Sequence, residues 1–195
     1  MISAYAPTEN ADNDEKEHFY SDLSNYLQSR PLHNLVVTLG DFNARIGRDA
    51  MNYHSKVIGK YAYHQESNDN GNRLIDFCES TNMNLATTRQ PHPNRHQWTW
   101  KHPNGHKAQL DHVLIRGKWI NSLRNCRSYN TVEIDSDHRI VTARIKISFR
   151  IAKISSDRPI KYDHNMLLIN SQTRSKFQLE VKNRFRALKA HMQIL

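Results

Sequence analysis

Two cysteines in 195 residues, Cys78 and Cys126, are too few for a disulfide framework or a zinc site. Both read as buried thiols, which fits a reducing, intracellular setting. No apolar run exceeds about five residues, far short of the ~20 that a membrane-spanning helix needs, so no membrane partner is expected. The opening "MISAYAPTEN" has neither a basic region nor a long apolar stretch and is not a signal peptide. Hydrophobic residues make up only 37% and mean hydropathy is −0.79, so part of the chain is expected to be solvated. Internal repeats and low-complexity tracts are absent. The length suits one domain, or a domain with a tail, burying roughly 70% of its unfolded surface.

Acidic residues are scarce in one half. Residues 1–80 carry 7 Lys and Arg against 12 Asp and Glu, whereas residues 81–195 carry 21 against 7. The net charges are therefore −5 and +14, and the second half is expected to face a polyanion, as in nucleic-acid binding.

The pattern of elements begins as α/β. "ISAYA" (2–6) reads as a strand stopped by Pro7, and residues 13–29 as a helix with Phe19, Leu23, Tyr26 and Leu27 inward. The apolar run Leu35 to Leu39 reads as a buried strand. Residues 48–69 are polar and read as a long surface loop. "NGNRLIDFCEST" (70–81) predicts a helix with Leu74, Phe77 and Cys78 inward. Strands are then expected at 84–88, 97–101, 108–116 and 139–147. The segment 148–170 has weak periodicity, and a final helix over 172–192 carries Phe177, Val181, Phe185, Leu188 and Met192 as a stripe. The domain is expected to span 1–150, with a basic linker and amphipathic helix over 151–195.

Three polar clusters adjoin or enter these strands: Asp41 and Asn43 in "GDFNA", Asp111 in "QLDHVLI", and Asp137 with His138 in "DSDHRIV". A carboxylate inside an apolar strand carries a burial cost unless it is paired or bound to a metal. Turn capping explains any one such residue; three at strand ends point to a site held by a rigid scaffold. Carboxylates and an amide are hard oxygen ligands suited to Mg²⁺ or Mn²⁺. An Asp–His pair orients an imidazole for acid–base or electrostatic work. With basic surroundings, the set suits phosphate ester hydrolysis. Two histidine pairs, His92/His96 and His102/His106, lie in proline-rich loops without a convincing third zinc ligand. Trp98 and Trp100 alternate and are expected on one sheet face, in core packing rather than base stacking.

"AYAPT", "GDFNARIG", "TW…QLDHVLI" and "DSDH", in this order and spacing, resemble the endonuclease/exonuclease/phosphatase family, over about residues 1–150. Within it, "FYSDL", "NGNRLIDFC", "TWKHPNG" and the tail over 158–188 look most like the retrotransposon-derived craniofacial development protein 2-like group. The resemblance implies an α+β fold, part of a four-layer α/β/β/α sandwich, and a Mg²⁺- or Mn²⁺-dependent endonuclease. It implies Asp41 as general base or water-orienting carboxylate, and Asn43 as the residue positioning the scissile phosphate. His138 would contact the phosphate, with Asp111 holding its ring, and Tyr5 would bond the phosphate through its hydroxyl. Asp137, with Asp41 and Asn43, would lie at the metal. Arg45, Arg89, Arg95, Trp100 and Lys101 are the candidate nucleic-acid contacts. DNA is favoured over RNA as partner, and nuclear residence follows only from such a substrate. The 172–192 helix is a candidate surface for a protein partner.

One departure from the family stands out. Its first half supplies another Asn and a metal-anchoring Glu, both before the "YAPT" strand, where this chain begins. Glu9, Glu15 and Glu17 fall in a loop and a helix and do not replace that Glu. The sequence therefore reads as N-terminally truncated, with an incomplete metal site, exposed sheet edges and weak or no catalysis. A catalytically inactive nucleic-acid-binding or protein-interaction remnant is the alternative.

Overall fold

The computed structural model describes residues 1–132, 135–148 and 164–192. The chain divides into two compact units, Met1–Ser148 and Phe149–Leu195. Among the described residues no helix is long and apolar enough to cross a membrane.

The first unit opens with β1 (Ile2–Tyr5), α1 (Asn13–Gln28) and β2 (Val37–Asp41), and β1 and β2 pair in parallel. Parallel neighbours need a crossover, which α1 supplies. Asp12 starts that helix: its backbone is extended and its carboxylate accepts the Asn13 N–H at 2.7 Å. Leu23 and Leu27 are buried as expected, but Tyr26 is not. It lies at the margin of the stripe with its polar ring in water, and the Arg30 guanidinium stands 4.5 Å over it. Lys16 is buried instead, and its ammonium donates to the Glu9 carbonyl and to Asp69.

Two further strands complete this sheet: β3 (Met83–Leu85), which α2 (Asp69–Thr81) leads into, and later β6 (Asp111–Arg116). The strand order is β1-β2-β6-β3, with β6 antiparallel to both neighbours. The apolar run in β6 is continuous because both faces are covered. Leu114 joins the helix-side core with Phe42, Ile46, Leu74 and Phe77, while Val113 and Ile115 join a second core with Leu123 and Cys126. At the strand's end, buried Arg116 donates to the carbonyls of Pro31 and Leu27 and so caps the C-terminal end of α1.

The second core lies under another sheet, β7 (Leu123–Tyr129) paired antiparallel with β8 (Ile140–Ile145). A short hairpin, β4 (Trp100–Lys101) with β5 (Lys107–Ala108), precedes β6 in sequence. Helices α1 and α2 cover one face of the four-stranded sheet and β7–β8 the other, as in part of the expected α/β/β/α sandwich. Strand β7 was not expected from the sequence. Its Arg124 and Arg127 interrupt the apolar pattern, and a bulge between Leu123 and Asn125 shifts the phase of what remains.

Other expectations need correction. Residues 48–69 are not a mere surface loop, since Val57, Ile58 and Ala62 are core residues. Single apolar residues in a polar background carry no periodicity to read. The expected strand 84–88 turns into a 3₁₀ helix after Leu85, and Gln97, Trp98 and Thr99 are buried outside any strand. Both cysteines are free and buried.

In the second unit, α3 (His164–Ile169) is followed by α4 (Ser171–Met192). Asn170 accepts the Gln172 and Thr173 N–H groups, and Arg174 donates to the carbonyls of Leu167 and Leu168. Phe185 is 66% exposed, so the expected stripe is open at that point. The linker over 151–163 and the side chains of Leu188 and Met192 lie outside the described residues.

Gly40 carries the tightest contact in the first sheet. Its φ is +149°, and a Cβ there would lie 1.8 Å from the Ala4 carbonyl oxygen of β1. Gly40→Ala is expected to cost more than about 2 kcal/mol in urea unfolding; an unchanged midpoint would show that β1 and β2 do not approach this closely.

Candidate active site

The paired strands place Asp41 and Asp111 directly opposite each other, as Cα partners at the end of the β2–β6 ladder. Like charges so placed repel. His138 stands between them: its Nδ1 is 2.9 Å from Asp111 Oδ2 and its Nε2 is 3.8 Å from Asp41 Oδ2. The first distance is a hydrogen bond, the second an ion-pair approach. Nδ1 carries the proton given to Asp111.

Backbone pairing brings His138 there. Its neighbours bond to residues 99–101, with Lys101 N–H donating to Asp137 O and Arg139 N–H to Thr99 O. Trp100 Nε1 donates to Asp137 Oδ2 at 2.7 Å, and the Ser136 hydroxyl accepts the His138 N–H. Thr99, buried and not singled out from the sequence, accepts the N–H groups of Leu110 and Asp111 on one hydroxyl. Its signal was the "TW" pair, read as core.

Asn43 does not continue the strand. A spacing of two in an extended segment would put Asp41 and Asn43 on one side. The strand instead ends at Asp41, whose Oδ1 accepts the Asn43 N–H at 2.8 Å, and Asn43 turns into the left-handed region at φ 48°. The turn-capping reading and the functional one therefore apply to the same carboxylate. The Asn43 amide donates to Ala6 O at 2.9 Å, tying the turn to the chain just after β1. Tyr5 pairs in register with Asp41 and is 74% exposed, which removes core packing as its role.

Burial disfavours the charged form of the Asp41 carboxyl and, despite the Asn43 N–H bond, leaves it above its ordinary range, with Asp111 adding repulsion. Burial also opposes charge on His138. The hydrogen bond and charge of Asp111, with Asp41 and Asp137 behind, outweigh it and raise the imidazole above its usual value. The Trp100 indole N–H holds Asp137 below the usual carboxylate range. Asp111 also borders a cavity of about 420 Å³, walled by Leu35, Val37 and Leu39 on one side and Val141, Ala143 and Ile145 on the other.

The candidate nucleic-acid contacts do not form one group. Trp100 and Lys101 adjoin Asp137, and Arg45 is exposed two residues beyond Asn43. Exposed Arg95 donates to His96. Arg89 is half-buried, and its guanidinium donates to Lys56 O and Asn84 Oδ1. Trp98 is buried, with Lys107 and Arg139 over its ring, while Trp100 is half-exposed.

The oxygen donors are of the kind that Mg²⁺ takes. Among the described residues, however, no group of three or more His, Cys, Asp or Glu is placed to hold a metal ion. Glu9, the acidic residue nearest the "YAPT" strand, accepts from Asn68 and from the Asp69 and Asn70 N–H groups at the start of α2. The residues present thus fit part of a metal site and do not complete one.

The same fold occurs in solved enzymes. A 3′ phosphatase from Neisseria bound to a product DNA hairpin superposes with a TM-score of 0.52 at 20% identity, over 74% of this chain and 60% of that one. The endonuclease domain of TRAS1, a telomere-specific non-LTR retrotransposon, gives 0.52 at 10% identity, over 75% and 57%. The chain has the endonuclease/exonuclease/phosphatase fold. A 3′-5′ exonuclease from Neisseria meningitidis with this fold gives 0.51 at 19% identity, over 74% and 60%. By sequence the chain is 26% identical over 185 residues to Craniofacial development protein 2 of Bos taurus, and 29% identical over 152 residues to that of Tragulus javanicus. It spans 30% and 26% of the lengths of these relatives. No family model matches it.

Because Asp111 supplies the largest upward pull on His138, Asp111→Asn is expected to lower that imidazole's midpoint in an NMR titration. A raised imidazole contributes stability that is full below its unfolded value of about 6.5 and fades as pH rises through the folded one. The variant should therefore lose that part of the chain's pH-dependent stability. An unmoved midpoint would mean that Asp111 does not hold the ring.

Proposed function

We propose that the first unit, Met1–Ser148, handles the phosphodiester of a nucleic acid. It would supply the Asp41, Asn43, Asp111, His138 part of a hydrolase site, with DNA favoured over RNA. The observation that carries this is an imidazole set between two carboxylates at the ends of adjacent strands, beside an exposed Tyr5. A protonated His138 presents positive charge to a phosphate oxygen. Asp41, with its carboxyl raised by burial, suits orienting or deprotonating a water. Asn43 would position the phosphate, and Tyr5 would donate its hydroxyl to it. The nuclease and phosphatase activities of proteins with this fold support the reading, as does the +14 charge of residues 81–195.

Mg²⁺ or Mn²⁺ is the proposed cofactor, with Asp41, Asn43 and Asp137 as donors. When bound it would polarise a phosphoryl oxygen. A complete cage needs ligands beyond the described residues, so weak hydrolysis by this chain is part of the proposal. Arg45, Arg95, Trp100 and Lys101 are the proposed backbone contacts. The exposed part of the α4 stripe is proposed as a surface for a protein partner, and a nuclear location would follow from a DNA substrate.

Residues 1–195 should bind a DNA oligonucleotide with affinity falling at least about tenfold between roughly 50 and 200 mM salt. Nicking of supercoiled DNA with Mg²⁺ should be weak or absent, and any nicking should vanish in Asp41→Ala and His138→Ala. Robust turnover lost in both variants would keep the site and overturn the weakness. Robust turnover surviving both would overturn the site, and binding without cleavage would favour the inactive binding remnant.

A further inference from the structure

We propose that Asn70, at the start of α2, is a positioning residue for the turn that carries Asn43, an inference that rests on the phosphodiester reading of that turn. Asn70 is 1% exposed, and its amide donates to two carbonyls from different segments: Pro7 O at 3.0 Å and Asn43 O at 3.2 Å. One side chain thereby joins the segment after Tyr5 to the turn after Asp41. Neither carbonyl belongs to a strand or helix, so each needs a partner from elsewhere.

The neighbours of Asn70 close on the same turn. Asn68 Oδ1 accepts the Arg45 N–H at 2.8 Å while also capping Gly71 N–H, and Asn68 N–H donates to Arg45 O. Gly71 packs so closely on that carbonyl that a Cβ would lie 2.0 Å from Arg45 O. From the far side, buried His112 places Nε2 2.9 Å from Ala44 O and Nδ1 2.9 Å from the Thr87 hydroxyl. The Nε2 facing a carbonyl carries the proton. Asn43 O, Ala44 O and both Arg45 backbone groups are thus fixed by α2 and β6. A left-handed Asn43 stays in place because its surroundings over-determine it. The "NDNGN" stretch, which touches no phosphate-handling side chain directly, is a clamp on the backbone beneath one.

The test uses the whole chain with Asn70→Asp, which keeps size and loses both donors, and Gly71→Ala, which pushes Arg45 O. In folded Asn70→Asp the Asn43 backbone amide should leave the downfield position that its bond to Asp41 gives it, while Leu74 and Ile75 methyl signals stay. DNA affinity should fall roughly fivefold, the scale of one lost hydrogen bond. Gly71→Ala should move the Asn43 and Arg45 amides together. If neither variant folds, the wild-type chain decides: scalar coupling across the hydrogen bond from the Asn70 amide to the Asn43 carbonyl supports the clamp, and its absence overturns it. Unmoved Asn43 signals in a folded variant would also overturn it. A wild-type chain that binds no DNA, yet shows the Asn43 shift, would sink the phosphodiester reading and leave the clamp standing.

Discussion

Two carboxylates face each other across a pair of antiparallel strands, and an imidazole reconciles them. Asp41 and Asp111 occupy partner positions at the end of the β2–β6 ladder. Ionised and about 5 Å apart, such a pair repels by roughly 3 kcal/mol at an effective dielectric near 20. His138 meets one carboxylate at each ring nitrogen, and its raised basicity is the counterpart of that repulsion. The site is therefore coupled: removing the ring leaves two facing anions, and removing Asp111 leaves a ring without its orientation.

The rest of the first unit holds this contact in register. Gly40 allows β1 to lie against β2, which brings Tyr5 alongside Asp41. Thr99 holds the backbone of Asp111, and residues 99–101 bring in His138 through the backbone of its neighbours. Neither carboxylate stands alone on a loop; both end strands whose middles are core. Such support is what preorganisation requires. A metal site asks for more donors than the described residues bring together, so the imidazole and its carboxylates are complete where the metal cage is not.

Much of this was legible in the sequence because it rests on local chemistry. The apolar run in "HVLI" predicted a strand, and the carboxylate beginning it carried a burial cost unless paired or bound to a metal. The strand–helix–strand opening read as α/β, and its two strands pair in parallel. What stayed hidden depends on contacts distant in sequence. Arg89 read as a candidate nucleic-acid contact, and nothing local showed that the fold brings Lys56 O and Asn84 Oδ1 to its guanidinium. The left-handed turn at Asn43 replaced an extended segment because Asp41 bonds back to it. Strand β7 was hidden by two arginines and a bulge, and the roles of Asn70 and Gly71 by an ordinary helix start.

The central claim is that the Asp41–His138–Asp111 arrangement is what meets a phosphodiester. The most direct measurement follows the imidazole ¹⁵N signals of His138 as an unlabelled DNA oligonucleotide is added at neutral pH. Nδ1 should keep the signature of its bond to Asp111 while Nε2 shifts as phosphate approaches. Saturating DNA binding with both His138 nitrogens unmoved would contradict the claim and assign binding to the basic surface alone.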